Sequence, residues 1–218
     1  MRTVQEIYSA YSIMPALQLH QLRVAGVAKI VCENIEHEID AETVVLACLF
    51  HDMCNIIKSD LSAFPEFSEP EGEAHWQLVK QQFEKRFGKD EHKATEAICK
   101  DAGLSEQIRM LIRDIGFSKL GTIMTKPWGL KVFQYADLRV GPHGVLSLEA
   151  RLAEGRERYR GHKEYSVAGR PERYERLVRE ARELERHVFA TAAIAPEDII
   201  EQSVEPFFEA LRTRVVEA

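Results

Sequence analysis

Residues 44–60 read VVLACLFHDMCNIIKSD. The first seven are apolar on every helical face, and the run halts at His51 and Asp52. A helix that is apolar all round belongs in the centre of a fold, because it has no side to give to water. Asp40 and Glu42 supply its N-terminal signal, which predicts a helix from Ala41 to about Asp52. The most buried helix of the chain therefore ends on a histidine and an aspartate.

Helical periodicity continues on both sides. From Pro15 to about Ile35, the residues Leu17, Val24, Val27, Ala28 and Val31 fall on one stripe. Residues 53–70 read as a loop with helical turns, broken by Pro65 and Pro70. Further helices are predicted over about 71–87, from Asp90 to about Ala102, from Ser105 to about Ile115, and over about 127–139 with Pro127 in the first turn. Gly141, Pro142, His143 and Gly144 form a clear break. Residues 151–186 then hold 11 arginines or lysines and 8 glutamates, read as charged helices interrupted near Gly161 and at 169–171. Pro196 opens a last helix with Val204, Phe207, Phe208 and Leu211. No segment alternates as a strand does. The expected fold is all-α: a helical core over about 1–140, with charged C-terminal helices over 141–218 packed on it as part of one unit.

Composition narrows the function. A chain of 218 residues allows one domain, and it can bury a core without disulfides or a structural metal. The net charge of −6, from 35 acidic and 29 basic residues, argues against a nucleic-acid binder. The C-terminal arginines do not reverse this. Glu154 with Arg158, Glu172 with Arg176, and Glu175 with Arg179 are spaced as salt-bridged pairs on a solvated helix face, and no aromatic residues interleave to stack bases. The longest apolar run, Val44 to Phe50, is far short of the roughly 18 residues of a membrane span. The N-terminus carries no apolar signal core. Cys32, Cys48, Cys54 and Cys99 form no Cys-x-x-Cys pair and read as reduced thiols, so a cytoplasmic location is expected.

Four polar residues stand where apolar ones are expected. His20 lies three after Leu17 and four before Val24. His51 and Asp52 end the central helix, and Asp137 lies four after Phe133 and seven after Leu130. A carboxylate on a buried stripe is costly unless it is paired or bound to a metal. Singly, each has an ordinary explanation as a hydrogen-bonded core histidine or a helix-end aspartate. Together, two imidazoles and two carboxylates from three helices can satisfy one another around a divalent cation.

The order His, His-Asp, Asp resembles the HD-domain superfamily of metal-dependent phosphohydrolases. The resemblance is carried by LQLHQLRVAGVAKIV (17–31), the 44–60 stretch, and KVFQYADLRVGP (131–142). It covers about residues 15–140 and implies a helical bundle with one metal held by His20, His51, Asp52 and Asp137. Asp52 then serves as both ligand and catalytic carboxylate. Mixed nitrogen and oxygen donors suit Mn, Fe, Co, Ni or Zn, and such a cation activates water towards a phosphate ester. The implied substrate is a small phosphorylated metabolite or nucleotide. Neither nucleic acid nor membrane is an expected partner, and a homodimer is left open.

The chain also departs from that family. Glycine and lysine commonly follow the His-Asp pair; here Cys54 and Asn55 stand there. Lys58, about one helical turn on, is either a replacement phosphate contact or a surface lysine. The nucleotidase branch places acidic residues where this chain has Asn55 and Asp60. Asp60 thus resembles the residue that orients water, and it equally reads as a turn residue. DEHKATEAICKDAGL (90–104) resembles the helix carrying an extra histidine of dinuclear members, which gives His92 a place near the substrate phosphate or a weak second metal. The next such histidine is missing around 115–118, which favours one metal. Arg139 is a candidate for bidentate phosphate contact or a structural pair. Lys119 and Lys126 are lesser candidates for substrate charge. His75 reads as structural, and His37, His143, His162 and His187 receive no role. A di-iron HD-type oxygenase and a non-catalytic nucleotide sensor on an HD scaffold are the alternative functions.

Overall fold

The structure is a computed structural model that describes residues 1–158 and 171–216. Its α-helices are α1 (Val4–Ala10), α2 (Pro15–Asn34), α3 (Ala41–Phe50), α4 (Glu73–Phe87), α5 (Glu91–Asp101), α6 (Glu106–Asp114), α7 (Leu120–Ile123), α8 (Trp128–Leu138), α9 (Leu148–Arg158), α10 (Pro171–Phe189), α11 (Glu201–Val204) and α12 (Phe208–Thr213). The fold is all-α, as the periodicity predicts.

α3 is the centre. Every residue from Val44 to Phe50 is buried, so the run with no polar face has no exposed one, and only the first turn of the helix, with Glu42, meets solvent. Asp40 caps it by accepting the Thr43 backbone N–H at 3.1 Å. α2 packs along α3, and α8 packs against both. Gly26 lets α11 lie close on α2, because a Cβ at this position would stand 2.9 Å from the Val204 Cβ.

α5 runs along the segment that follows α3 and meets it at every fourth residue. The Cys99 thiol contacts the Phe50 carbonyl at 3.7 Å. The Thr95 hydroxyl accepts the Cys54 N–H at 3.3 Å, and the Glu91 carboxylate lies 3.5 Å from the Lys58 Nζ. One face of a helix presents residues at this spacing, so α5 braces the chain from Phe50 to Lys58.

Three details differ from expectation. α3 stops at Phe50, which leaves His51 as its C-terminal cap and Asp52 in a turn. The last helix is broken into α11 and α12 by a 3-10 turn over Glu205–Phe207, where Pro206 brings no amide hydrogen to a helical ladder. A two-residue antiparallel pairing joins Arg2 to Val216 and Thr3 to Val215, too short to leave an alternating pattern.

The C-terminal ion pairs are also partly redrawn. Glu154 does pair with Arg158 at 2.8 Å. Arg176 turns to Glu180 instead, and Glu175 to Arg156. The interruption expected near Gly161 falls outside the described residues, as do positions 169–170. Among the described residues no helix is long and apolar enough to cross a membrane.

Candidate metal centre

His20 from α2, His51 and Asp52 from the end of α3, and Asp137 from α8 converge where the three helices meet. His20 Nε2 lies 3.4 Å from Asp52 Oδ2 and 3.5 Å from Asp137 Oδ1. His51 Nε2 lies 3.6 Å and 3.4 Å from the same two oxygens. Donor atoms of His20, His51 and Asp52 all fall within 4.8 Å of one another, and Asp137 joins them through both imidazoles. The His51 side chain is 3% exposed, whereas His20, Asp52 and Asp137 are 20–27% exposed, so one side of the cluster is open to solvent.

The tautomer of His51 is fixed by its surroundings. Its Nδ1 lies 2.7 Å from the Cys48 carbonyl. A carbonyl only accepts, so Nδ1 carries the proton and the neutral ring turns the lone pair of Nε2 towards the carboxylates. That Nε2 is buried and makes no hydrogen bond among the described residues. The four separations exceed ordinary hydrogen-bond lengths. They match the spacing of about 3.4 Å between two donors that each sit about 2.1 Å from a shared tetrahedral centre. An orphaned imidazole nitrogen and two carboxylates at this spacing fit a divalent cation.

In the metal-free protein the electrostatics favour ion pairing within the cluster. Burial pulls the His51 imidazole down, but the Asp52 and Asp137 carboxylates and the Cys48 carbonyl outweigh it and bring it up to about 9. Burial alone would raise the Asp137 carboxyl. The adjoining His20 and His51 rings prevail and hold it well below the usual carboxylate range. Without a cation, these groups lean on one another as ion partners.

The remaining candidates fall elsewhere. Arg139 is a correction. It is 2% exposed, and its guanidinium donates to the carbonyls of Leu146 (2.5 Å), Pro196 (3.1 Å) and Ile199 (2.9 Å) and to the Tyr135 hydroxyl. A guanidinium with four of its five N–H groups so occupied is a structural clamp, not a phosphate contact. The His92 side chain is 77% exposed and is not part of the ligand cluster; its Nε2 lies 3.7 Å from the Glu91 carboxylate that also meets Lys58. The α5 face turned to the His-Asp segment belongs to Glu91, Thr95 and Cys99. Asp60 is exposed and accepts both the backbone N–H (3.0 Å) and the hydroxyl (2.7 Å) of Ser62. These bonds hold its carboxyl low and give it the turn role. Lys58 is exposed beside Glu91 and, with Asp60, Ser62, Glu73, Gln77 and Lys80, lines a shallow groove. Lys119 bonds the Arg113 carbonyl, and Lys126 pairs with Asp114 at 2.9 Å. His75 is exposed, with its ring perpendicular to that of its neighbour Trp76.

Sequence reasoning passed over two groups. Gln21 is fully buried and accepts the Asp52 N–H at 3.2 Å. Its signal was present, since it stands four after Leu17 and three before Val24 on the same stripe. His37 and His187 both stack on Trp128, with centroids 3.8 Å and 4.6 Å away, and Lys131 Nζ sits 3.2 Å from His187 Nε2. His37, His187 and the helix that carries Trp128 and Lys131 lie far apart in the chain, and no local pattern joins them.

Residues 18–120 match the family model described as HD domain. The match spans the segment that carries His20, His51 and Asp52, and it stops before α8. A search of curated proteins and a search of solved structures each find no match. Over residues 18–120, a little under half of its length, the chain is thus similar to the HD domain.

Proposed function

We propose that this protein is a metal-dependent phosphohydrolase that cleaves phosphate esters of small metabolites or nucleotides. The observation that carries the reading is the convergence of two imidazole nitrogens and two carboxylate oxygens at 3.4–3.6 Å around the orphaned Nε2 of His51. His20, His51, Asp52 and Asp137 are the proposed ligands, and Mn, Fe, Co, Ni or Zn are the metals such donors suit. A cation there polarises a phosphoryl oxygen and lowers the pKa of bound water.

The chain's own residues prepare the site. The Cys48 carbonyl fixes the His51 tautomer. Gln21 and Thr95 hold the backbone on either side of Met53. The partial exposure of His20, Asp52 and Asp137 gives a phosphate group a way in. Lys58, set beside Glu91 on the segment after the His-Asp pair, is the proposed phosphate contact. The exposure of His92 removes the support it lent to a second metal, and so to the di-iron oxygenase. The four cysteines form no disulfide, which supports a reducing compartment such as the cytoplasm.

The test is a phosphomonoester panel assayed with protein reconstituted separately with Mn, Co and Ni. Release of inorganic phosphate by the wild type, lost in Asp52→Ala that keeps its helical circular dichroism, is expected. No release from any ester with any metal, or equal release by folded Asp52→Ala, would overturn the reading.

A further inference from the structure

In an unbroken α-helix the Asp52 N–H would meet the Cys48 carbonyl four residues back. Here α3 ends at Phe50, and that carbonyl takes the Nδ1 proton of His51 instead. The displaced Asp52 N–H passes to the Gln21 side chain on α2 at 3.2 Å. This N–H belongs to the peptide that joins His51 to Asp52. One oxygen from α2 therefore secures the link between two candidate ligands at the point where helical support stops.

The orientation of the Gln21 amide follows from chemistry. A backbone N–H only donates, so the amide atom that meets it is the oxygen. The Nε2 group is then left buried with no hydrogen-bond partner among the described residues. A buried, unsatisfied donor is unfavourable; leucine in its place would avoid it but would leave the Asp52 N–H without its acceptor. The nearby residues Leu22, Val24 and Ala25 are apolar and fully buried. The glutamine is explained by its bond to the Asp52 N–H, which a leucine cannot make.

We infer that Gln21 is a positioning residue of the metal centre: its carbonyl sets the His51–Asp52 peptide and, through it, the aim of both side chains. The inference rests on the cation-binding reading above. Residues that orient metal ligands in this way typically cost about 10- to 100-fold in metal affinity when replaced.

The experiment is titration of metal-free wild type and Gln21→Leu with Co(II), followed by calorimetry and by the visible d–d absorption, together with thermal melts of both metal-free proteins. The expected result for Gln21→Leu is a melting temperature near that of wild type, since the loss of the Asp52 N–H acceptor is offset by removal of the unsatisfied Gln21 Nε2, with Co(II) affinity about 10- to 100-fold weaker and a changed d–d spectrum. If Gln21→Leu fails to fold, the near-isosteric Gln21→Met is measured in the same way and carries the same expectation. Wild-type affinity and an unaltered spectrum in the folded variant would overturn the role of Gln21 and leave the metal reading standing. Failure of the wild type itself to bind Co(II) would remove both.

Discussion

The Thr95 hydroxyl of α5 accepts the backbone N–H of Cys54 at 3.3 Å, and both residues are buried. That bond is the middle contact of three by which α5 braces the chain from Phe50 to Lys58, and it falls two residues beyond Asp52. The candidate metal centre is thus held from two sides, by α2 through Gln21 and by α5 through Thr95.

Thr95→Val keeps the shape of the side chain and removes the acceptor, which orphans a buried N–H. A loss of about 1–3 kcal/mol in stability is expected, read by urea denaturation, together with weaker metal binding. Unchanged stability would mean that the Cys54 N–H finds another partner.

Lys58 and Arg139 are predicted to separate cleanly. Arg139→Ala leaves the carbonyls of Leu146, Pro196 and Ile199 without their donor inside the fold. It should destabilise the protein by about 3 kcal/mol or more. Lys58→Ala removes an exposed ammonium, so stability should stay within about 0.5 kcal/mol while KM for the phosphate ester rises. A stable Arg139→Ala with a raised KM would restore the phosphate-binding role to Arg139.

Gly26→Ala tests the approach of α11 to α2. The added methyl would stand 2.9 Å from the Val204 Cβ, inside normal contact distance, and Val204 is fully buried. Overpacking of this kind costs about 1–3 kcal/mol, and a thermal melt reads it directly. A melting temperature at or above that of the wild type would show that α11 moves away freely.

Thiol reactivity follows from burial. Desolvation pushes Cys32 up to about 12 and also raises Cys48 and Cys99. A raised thiol pKa means less thiolate, about one part in ten thousand for Cys32 at pH 8, and thiolate is the reactive form. Native protein at pH 8 should react slowly with a disulfide reagent, and denatured protein should expose four thiols at once. A fast-reacting native cysteine would contradict the packing of α2, α3 and α5.

Much of this arrangement was legible in the sequence because it is local. The all-apolar run of Val44–Phe50 placed α3 at the centre, and polar residues on the stripes of α2 and α8 singled out His20 and Asp137. What was hidden depends on partners distant in the chain. Arg139 looked like a phosphate ligand because nothing nearby reveals that residues 196–199 supply its acceptors. His92 and Glu91 are neighbours about 100° apart around α5, and the packing of α5 on the rest of the fold decides which one faces inward. Gln21 sat in view on a buried stripe, but its meaning required knowing that α3 ends one residue before His51.

The most direct test is the metal content of protein purified without chelators or a histidine tag, measured beside His51→Ala. About one divalent transition metal per chain, absent from a folded His51→Ala, is the predicted result. Absence of metal from the wild type, even after reconstitution with Mn, Co and Ni, would contradict the account and leave His20, His51, Asp52 and Asp137 as a buried ion-pair network.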